Sequence, residues 1–220
     1  GPPATNDLFE GIDLTWKRFR GGADVDHLLA EVDAKWDATK PWDIIPVLER
    51  ARSAAVRLDD PAVPDKIKAI DETIADCAGL WLDFSADREQ YVAGTTGQLR
   101  ITAIQRSAVP AVISALNLDG HDIEAAKLPR TLRENEPAVF DVQQHISASN
   151  DYTAPYWLIQ PPSHNLYQVK DMRLIGLPEN PPPLLLRASV RIGDTTISLE
   201  RPLTHRYINR LRGESITPVA

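Results

Sequence analysis

Cysteine, long apolar runs and basic clusters are all scarce in this sequence, and each shortage excludes a class of protein. Cys77 is the only cysteine among 220 residues, which rules out an internal disulfide framework and a metal site built from several thiolates. No run of 18 apolar residues occurs, so no membrane-spanning helix is predicted. With 43% hydrophobic and 25% charged residues, the composition is nevertheless that of a globular protein with a core.

Positive charge is too sparse to predict a nucleic acid partner. The net charge is −7, and it is unevenly distributed. Residues 1–95 hold 11 Lys/Arg against 19 Asp/Glu, whereas residues 96–220 hold 13 against 12. The acidic first part repels phosphate backbones, and no basic stripe occurs elsewhere.

The start of the chain has neither an initiator Met nor the charged and apolar regions of a signal peptide. Gly1-Pro2 is typical of what remains after a purification tag is cleaved. We therefore expect the chain to be a piece of a longer protein, whose own targeting signal would be missing here.

Three helical patterns occupy the first part of the chain. Apolar residues recur at spacings of three and four over 25–36 and 44–58, and again from Pro64 onward, which places them on one face of each helix. Pro46 is tolerated because it falls in a first turn. Short connections favour antiparallel packing, so a three-helix segment is expected over 1–94. The third apolar face includes Ile67, Ile70, Ile74, Cys77, Ala78, Trp81 and Phe84.

Beyond Gly94-Thr95-Thr96-Gly97 the apolar period changes to two. Leu99, Ile101 and Ala103 alternate with polar residues, as in a half-buried strand. Similar patterns predict strands within 107–118 and 139–146, and two more over 184–203 joined by a type II′ turn at Gly193-Asp194. Strands without intervening helices favour an antiparallel β-sandwich over 95–220. The predicted fold class is therefore α+β.

The sequence contains no recognisable catalytic or metal-binding motif. None of the five histidines pairs with another at zinc-ligand spacing. His121-Asp122 with Glu124 is the nearest approach, but it follows Asp119-Gly120, a turn signal that predicts a solvated loop. Phosphate-binding glycine loops and nucleophile elbows are missing as well. We therefore assign no catalytic, cofactor-binding or metal-binding residue to this chain.

Aromatic residues gather in the proline-rich stretch before the final hairpin. Tyr156, Trp157 and Tyr167 are candidate contacts for a carbohydrate or a protein partner, because exposed rings stack on sugars and anchor interfaces. The favoured interpretation, however, is that Trp157 is a core residue of the sandwich and that the tyrosines pack on prolines. For the four tryptophans of the helical part we expect core positions: Trp16, Trp36, Trp42 and Trp81.

Several short motifs resemble the large bacterial PIG-L/LmbE-like deacetylases. In the second half they are Tyr156-Trp157-Leu158, Tyr167, the run from Leu174 to Pro182, Arg201-Pro202, Tyr207 and Arg212-Gly213-Glu214. In the first half they are the run from Asp7 to Asp13, Thr15-Trp16, Arg18 and the run from Ala78 to Leu82. The resemblance covers most of the chain.

The resemblance implies an accessory region rather than the enzyme itself. In that family a zinc-dependent α/β domain with an Ala-His-Pro-Asp-Asp type motif removes acetyl groups from N-acetylglucosamine-type substrates, and it lies before the region seen here. No His-Pro-Asp-Asp occurs in this chain, so no catalytic residue is carried over. What is implied is a helical segment followed by an immunoglobulin-like sandwich, with the parent's catalytic domain as partner. The expected location of the parent is the periplasm or the outside of the cell.

Besides a general protein–protein docking module, three functions stay open at this point. The first is the non-catalytic accessory module. The second is a carbohydrate-binding module that uses the exposed aromatics, an analogy at the level of fold only. The third is an unrelated enzyme whose site is assembled from distant residues, for which Asp141, His145 and Tyr152 are the imaginable set.

Overall fold

The computed structural model describes residues 9–123, 127–149 and 152–219. In it, three helices are followed by two five-stranded, mostly antiparallel sheets that pack together, which confirms the α+β class. The α-helices are α1 (Ala23–Lys35), α2 (Ile45–Ala55) and α3 (Val63–Cys77). Short 3₁₀ helices cover Trp16–Arg18, Pro41–Ile44 and Met172–Leu174.

The two sheets share the strands equally. The strands are β1 (Leu80–Ala86), β2 (Thr96–Gln105), β3 (Ala111–Leu118), β4 (His121–Asp122), β5 (Arg130–Thr131), β6 (Ala138–His145), β7 (Leu185–Ile192), β8 (Thr195–Pro202), β9 (Thr204–Asn209) and β10 (Gly213–Pro218). One sheet has the order β10-β9-β1-β2-β6. The other has the order β4-β3-β7-β8, with β5 also paired to β3.

The helices form where the apolar spacing predicted them. Asp24 and Asp26 lie in the first turn of α1, where the helix dipole favours negative charge. Pro46 and Pro64 lie in the first turns of α2 and α3, where a missing N–H costs no helical hydrogen bond. The three predicted helices are confirmed.

The predicted extension of the third helix to Trp81 and Phe84 is wrong. Helix α3 ends at Cys77, and Gly79 adopts a φ of +72°, the left-handed conformation that commonly terminates helices at a glycine. The chain then enters β1, in which Leu80, Leu82 and Phe84 are buried. Their period of two is a strand signal that the helical spacing of the preceding residues concealed.

The predicted strands are confirmed in the second part of the chain, with one change of register. Strand β2 buries Leu99, Ile101 and Ala103, as the alternation predicted. Strand β3 carries a bulge between Ile113 and Ala115, so the inward side changes and Leu116, not Ala115, is buried.

The β7–β8 hairpin also forms as the sequence predicted. Ile192 pairs with Thr195 across the two-residue loop Gly193-Asp194. The φ of Gly193 is +57°, and Asp194 is not among the residues with positive φ, as a type II′ turn requires.

The final two strands carry the chain from one sheet to the other. After β8, Leu203 is 1% exposed and connects directly to β9. Strand β9 pairs in parallel with β1 through Ser85–Thr204 and Ala86–His205, and then pairs antiparallel with β10. Neither β9 nor β10 was predicted, because their apolar residues face solvent.

A single hydrophobic core runs from the helices into the space between the sheets. It joins Val25, Leu48 and Ile74 of the helices to residues of both sheets, including Phe84 and Leu199. Among the described residues, no helix is long and apolar enough to cross a membrane.

The prediction of a core position is wrong for two of the four tryptophans of the helical part. Trp36, at the end of α1, is 52% exposed and Trp42 is 40% exposed. Trp16 and Trp81 are half-buried. The helices bury smaller side chains instead: Ala51 and Ala55 of α2 and Ala75 of α3 are fully buried.

Helix α3 is attached to β8 by polar contacts as well as apolar ones. Asp71, 2% exposed, accepts a hydrogen bond from the Ser198 backbone N–H (3.0 Å) and is ion-paired with Arg52 of α2. Nearby, both terminal nitrogens of the Arg201 side chain pair with the Glu72 carboxylate (2.7 and 2.9 Å), and its Nε donates to the Leu82 carbonyl (3.0 Å).

Removing the Asp71 carboxylate should destabilise the whole chain. In Asp71→Ala, Arg52 and the Ser198 N–H lose their buried partner, and we expect the free energy of unfolding to fall by about 3 kcal/mol. Urea denaturation measures this. Asp76→Ala, an exposed position on the same helix, is the matched control. Equal stabilities of the two variants would show that the attachment contributes little.

Candidate interaction site

The segment from residue 152 to residue 183, called here the proline-rich segment, lies outside the core. It connects β6 to β7, and its one regular element is the 3₁₀ helix at Met172–Leu174. Among the described residues, none between 147 and 183 belongs to the buried core. The sandwich therefore carries this segment on its surface.

The composition of the proline-rich segment is unusual for a protein surface. It contains seven of the 18 prolines, and residues 152–169 contain no Asp, Glu, Lys or Arg. Surfaces of soluble proteins are typically about a quarter or more charged, whereas the centres of interfaces are depleted of charge. This segment has the composition of an interface.

Apolar exposure is concentrated in the same segment. Eight of the 20 exposed large hydrophobic side chains in the described part of the chain lie here: Tyr152, Leu158, Ile159, Leu166, Tyr167, Met172, Ile175 and Leu177. Their exposed fractions range from 41% at Leu177 to 99% at Tyr152. Exposed apolar groups gathered on one segment are typical of contact surfaces.

Hydrogen bonds hold the two ends of the proline-rich segment together. The Asn180 side chain accepts from the Tyr156 N–H (2.8 Å) and donates to the Ala154 carbonyl (2.6 Å). The Tyr156 hydroxyl donates to the Leu177 carbonyl (3.1 Å). These three contacts, together with the prolines, give the segment a defined shape without a core of its own.

Charge in the segment is confined to its second half, and part of it is internally paired. Arg173 contacts Asp171 through its side chain (2.7 Å) and its backbone N–H (3.0 Å). These hydrogen bonds lower the pKa of Asp171 to about 2, so the carboxylate stays ionised over the physiological range. Residues 152–169, which precede this ion pair, carry no charged side chain.

The structure brings together two of the three predicted contact residues. The rings of Tyr156 and Trp157 pack at 4.8 Å between centroids and at an interplanar angle of 90°. Tyr167 is 63% exposed, and within the described residues no ring contact joins it to the other two. The three side chains therefore do not form one continuous aromatic platform.

The interpretation of Trp157 as a core residue of the sandwich is wrong. Trp157 is half-buried, and it packs edge-to-face against Tyr156 rather than between the sheets. The proline-rich segment is too long and too rich in proline to enter either sheet, so its aromatics pack locally.

The residues imagined as a distant catalytic set are not arranged as one. Asp141 pairs with Arg100 (2.7 Å) on the exposed face of β6. His145 lies four residues further along the same strand, about 13 Å away at strand spacing. Tyr152 is 99% exposed and lies at the rim of a pocket whose lining includes neither Asp141 nor His145.

No zinc donor set is found in the described part of the chain. There, no group of three or more His, Cys, Asp or Glu side chains is placed to hold a metal ion. His121-Asp122 forms the short exposed strand β4, and Glu124 lies outside the described residues. The described residues therefore do not fit the zinc site that the resemblance implies for the parent enzyme.

Sequence reasoning found the aromatics but missed the aliphatic part of this surface. Leu158, Ile159, Leu166 and Ile175 are all at least half exposed. The available signal was the uncharged run from 152 to 169, which differs from the charged loops elsewhere in the chain.

Asn180→Ala should loosen the proline-rich segment without destabilising the fold. Alanine removes both side-chain hydrogen bonds of Asn180; the one accepted from the Tyr156 N–H, at about 1 kcal/mol, predicts about fivefold faster amide hydrogen exchange at Tyr156. The thermal midpoint should not change, because the core contains none of these residues. Glu179→Ala is the control. A lowered midpoint in Asn180→Ala would mean that the segment supports the sandwich.

Comparisons with known proteins do not show a family for this chain. No family model matches it, and no curated protein matches its sequence. Three solved structures are distantly similar, and this chain spans about half the length of each. Their TM-scores are low, so they carry no argument about fold or function.

The first is the sporulation control protein Spo0M from Bacillus subtilis, with a TM-score of 0.32, 8% identity, and coverage of 64% of this chain and 48% of that one. The second is the alkylpurine DNA glycosylase AlkC from Pseudomonas fluorescens bound to DNA containing an abasic site analog. Its TM-score is 0.27 and its identity 14%, with coverage of 81% of this chain and 50% of that one. The third is a protein of unknown function from Porphyromonas gingivalis W83. Its TM-score is 0.22 and its identity 12%, with coverage of 58% of this chain and 48% of that one.

Proposed function

We propose that this chain is a non-catalytic accessory module of a larger zinc-dependent N-deacetylase of the PIG-L/LmbE type. In this proposal the module docks on the parent's catalytic domain, which acts on N-acetylglucosamine-type substrates, through the proline-rich segment. The immunoglobulin-like arrangement of the sandwich belongs to the same proposal. The two packed, mostly antiparallel sheets are compatible with it.

The observation that carries the docking role is the apolar surface of the proline-rich segment. Eight large hydrophobic side chains are exposed there, and covering them would remove apolar area from water at about 25 cal/mol per Å². Since residues 152–169, which hold five of these eight side chains, are uncharged, little charge would have to be desolvated in that part of the surface. The surface therefore suits a neutral, apolar partner face.

The rigidity of the segment also supports a docking role. Seven prolines and the contacts of Asn180 restrict the free conformations, so less conformational entropy is lost on binding. A segment with these exposed residues but no fixed shape would bind more weakly for the same contact area.

The choice of the catalytic domain as partner rests on the sequence resemblance. Several of its motifs, Tyr156-Trp157-Leu158, Tyr167 and the run from Leu174 to Pro182, lie in the proline-rich segment. Arg201, another of these residues, has a structural contact instead, because it joins α3 to β1 and β8. The motifs that carry the resemblance therefore lie both in the proposed contact surface and in the sandwich that supports it.

The docking role predicts binding between the chain and the parent's deacetylase domain. The gene should encode an upstream domain with a His-Pro-Asp-Asp motif, and that domain should bind this chain in a calorimetric titration. Leu166→Asp combined with Ile175→Asp should weaken binding at least about tenfold, because charge enters the apolar contact. The matched control is Ile208→Asp with Leu211→Asp on the β9–β10 hairpin, where both side chains are exposed.

Equal weakening by the two double variants would contradict the proposed surface. A titration without heat at two well-separated temperatures would contradict the partner, because apolar burial makes the binding enthalpy depend on temperature. The isolated chain should also show no zinc-dependent release of acetate from N-acetylglucosamine oligomers. Robust metal-dependent turnover by the chain alone would contradict the non-catalytic assignment.

A carbohydrate-binding module is the second candidate, favoured by the 63% exposure of Tyr167. Tyr156 and Trp157 argue against a flat platform because their rings are perpendicular. We expect tryptophan fluorescence to show no saturable change when N-acetylglucosamine oligomers are added. Saturable quenching that disappears in Trp157→Ala and persists in Trp36→Ala would establish sugar binding instead.

A further inference from the structure

An apolar pocket of about 410 Å³ lies at one end of the sandwich. The turn after β1 contributes Tyr91 and Val92, and Ile146 comes from the end of β6. Leu184 and Val219 line it from the second part of the chain, and Tyr152 lies at its rim. The volume is within the range of small-molecule sites, about 300–1,000 Å³.

Among the described residues, those that line this pocket carry no charge. None of its ten lining residues is Asp, Glu, Lys, Arg or His, although 25% of the whole chain is charged. A charged ligand would lose hydration without gaining an opposite charge. The lining is therefore complementary to an uncharged, apolar molecule.

Backbone hydrogen bonds hold the walls in place. The Gly94 N–H donates to the Ile146 carbonyl, and the Ile146 N–H donates to the Thr95 carbonyl, both at 2.9 Å. On the other side, Leu203 donates to the Leu184 carbonyl (3.1 Å) and accepts from the Val219 N–H (3.4 Å). The pocket is thus largely preformed, as ligand sites usually are.

Tyr91 forms a fixed aromatic wall. Its hydroxyl donates to the Asp87 carboxylate (2.6 Å), and its ring lies so close to Gly97 that a Cβ added there would be 2.6 Å from Cε1. Burial, followed by the hydrogen bond to Asp87, raises the pKa of Tyr91 to about 12. The ring therefore stays neutral, and glycine at position 97 leaves space for it.

We propose that this pocket binds an uncharged small molecule with an apolar, aromatic or branched aliphatic body. The basis is the combination of a partly open cavity of suitable volume, ten uncharged lining residues and preformed walls. Filling the pocket would bury Val92, which is 72% exposed without a ligand, against Ile146 and Leu184. The site differs from the docking surface of the proline-rich segment, although Tyr152, Thr153 and Pro183 at the ends of that segment also line the pocket.

The neutral fluorescent probe N-phenyl-1-naphthylamine tests this proposal with the purified chain. Its emission should rise saturably with one site per chain, because it brightens in apolar surroundings. Val92→Lys should weaken binding at least about tenfold, since it places a charge at the mouth of the pocket. Ile208→Lys, at an 84% exposed position on the β9–β10 hairpin, should bind the probe like the unmodified chain.

A third variant separates the pocket from the exposed docking surface. Leu166 is 69% exposed in the proline-rich segment and does not line the pocket, so Leu166→Lys should leave probe affinity unchanged. If Leu166→Lys weakens the probe as much as Val92→Lys, the probe binds the surface and the pocket proposal fails. The proposal also fails if the unmodified chain shows no saturable binding, whether or not the deacetylase domain binds.

Gly97→Ala provides an independent check on the pocket wall. The φ of Gly97 is not in the left-handed region, so alanine suits the strand, but its methyl group would displace the Tyr91 ring. We expect at least about threefold weaker probe binding, with circular dichroism unchanged. In the unmodified chain, the probe should shift the methyl resonances of Ile146 and Val219. Shifts confined to the proline-rich segment would overturn the proposal.

Discussion

The attachment of α3 to the sandwich is the contact on which the arrangement of the whole chain depends. Asp71 joins α3 to Arg52 of α2 and to the backbone of β8 at Ser198, and Arg201 joins β8 to Glu72 and to the β1 backbone. Because α3 leads through Gly79 directly into β1, this contact determines how the helices sit against both sheets. A buried carboxylate costs desolvation energy unless its partners are well placed. The same contact therefore favours one packing of α3 over others that would bury similar apolar area.

The core created in this way leaves the proline-rich segment without a place in either sheet. Its prolines cannot supply ladder hydrogen bonds, and its ends are held by Asn180 rather than by the core. The result is a stable sandwich that presents an apolar surface, which is uncharged over residues 152–169. The same end of the molecule holds the pocket beside Tyr91, with Tyr152 and Thr153 from one end of the segment and Pro183 from the other in its lining. Contact surface and pocket are thus consequences of one constraint, which is that residues 152–183 pack outside the sheets.

Sequence reasoning succeeded where one face of an element is buried along its whole length. The period of 3.6 identified α1, α2 and α3, and the alternation of Leu99, Ile101 and Ala103 identified β2. The β7–β8 hairpin followed from Gly193-Asp194.

The failures have equally physical causes. Strand β1 was assigned to a helix because its apolar residues continue the stripe of α3, and β9 and β10 carry Ile208, Leu211 and Ile216 on the solvent side. For the candidate site, the aromatics were found, but their separation into a Tyr156–Trp157 pair and a distant Tyr167 was not.

Local sequence is sufficient to predict the helices, the main strands and the turn at Gly193, and it shows that no known catalytic motif is present. These follow from spacing and side-chain type, which act over a few residues. The tertiary structure alone decided which apolar residues are covered. Trp36 is exposed while alanines of α2 are buried, and Trp157 packs on a tyrosine rather than in the core. It also assembled the pocket from residues 91, 146, 184 and 219, far apart in the chain. Burial depends on which surfaces meet across the fold, and no local pattern encodes that.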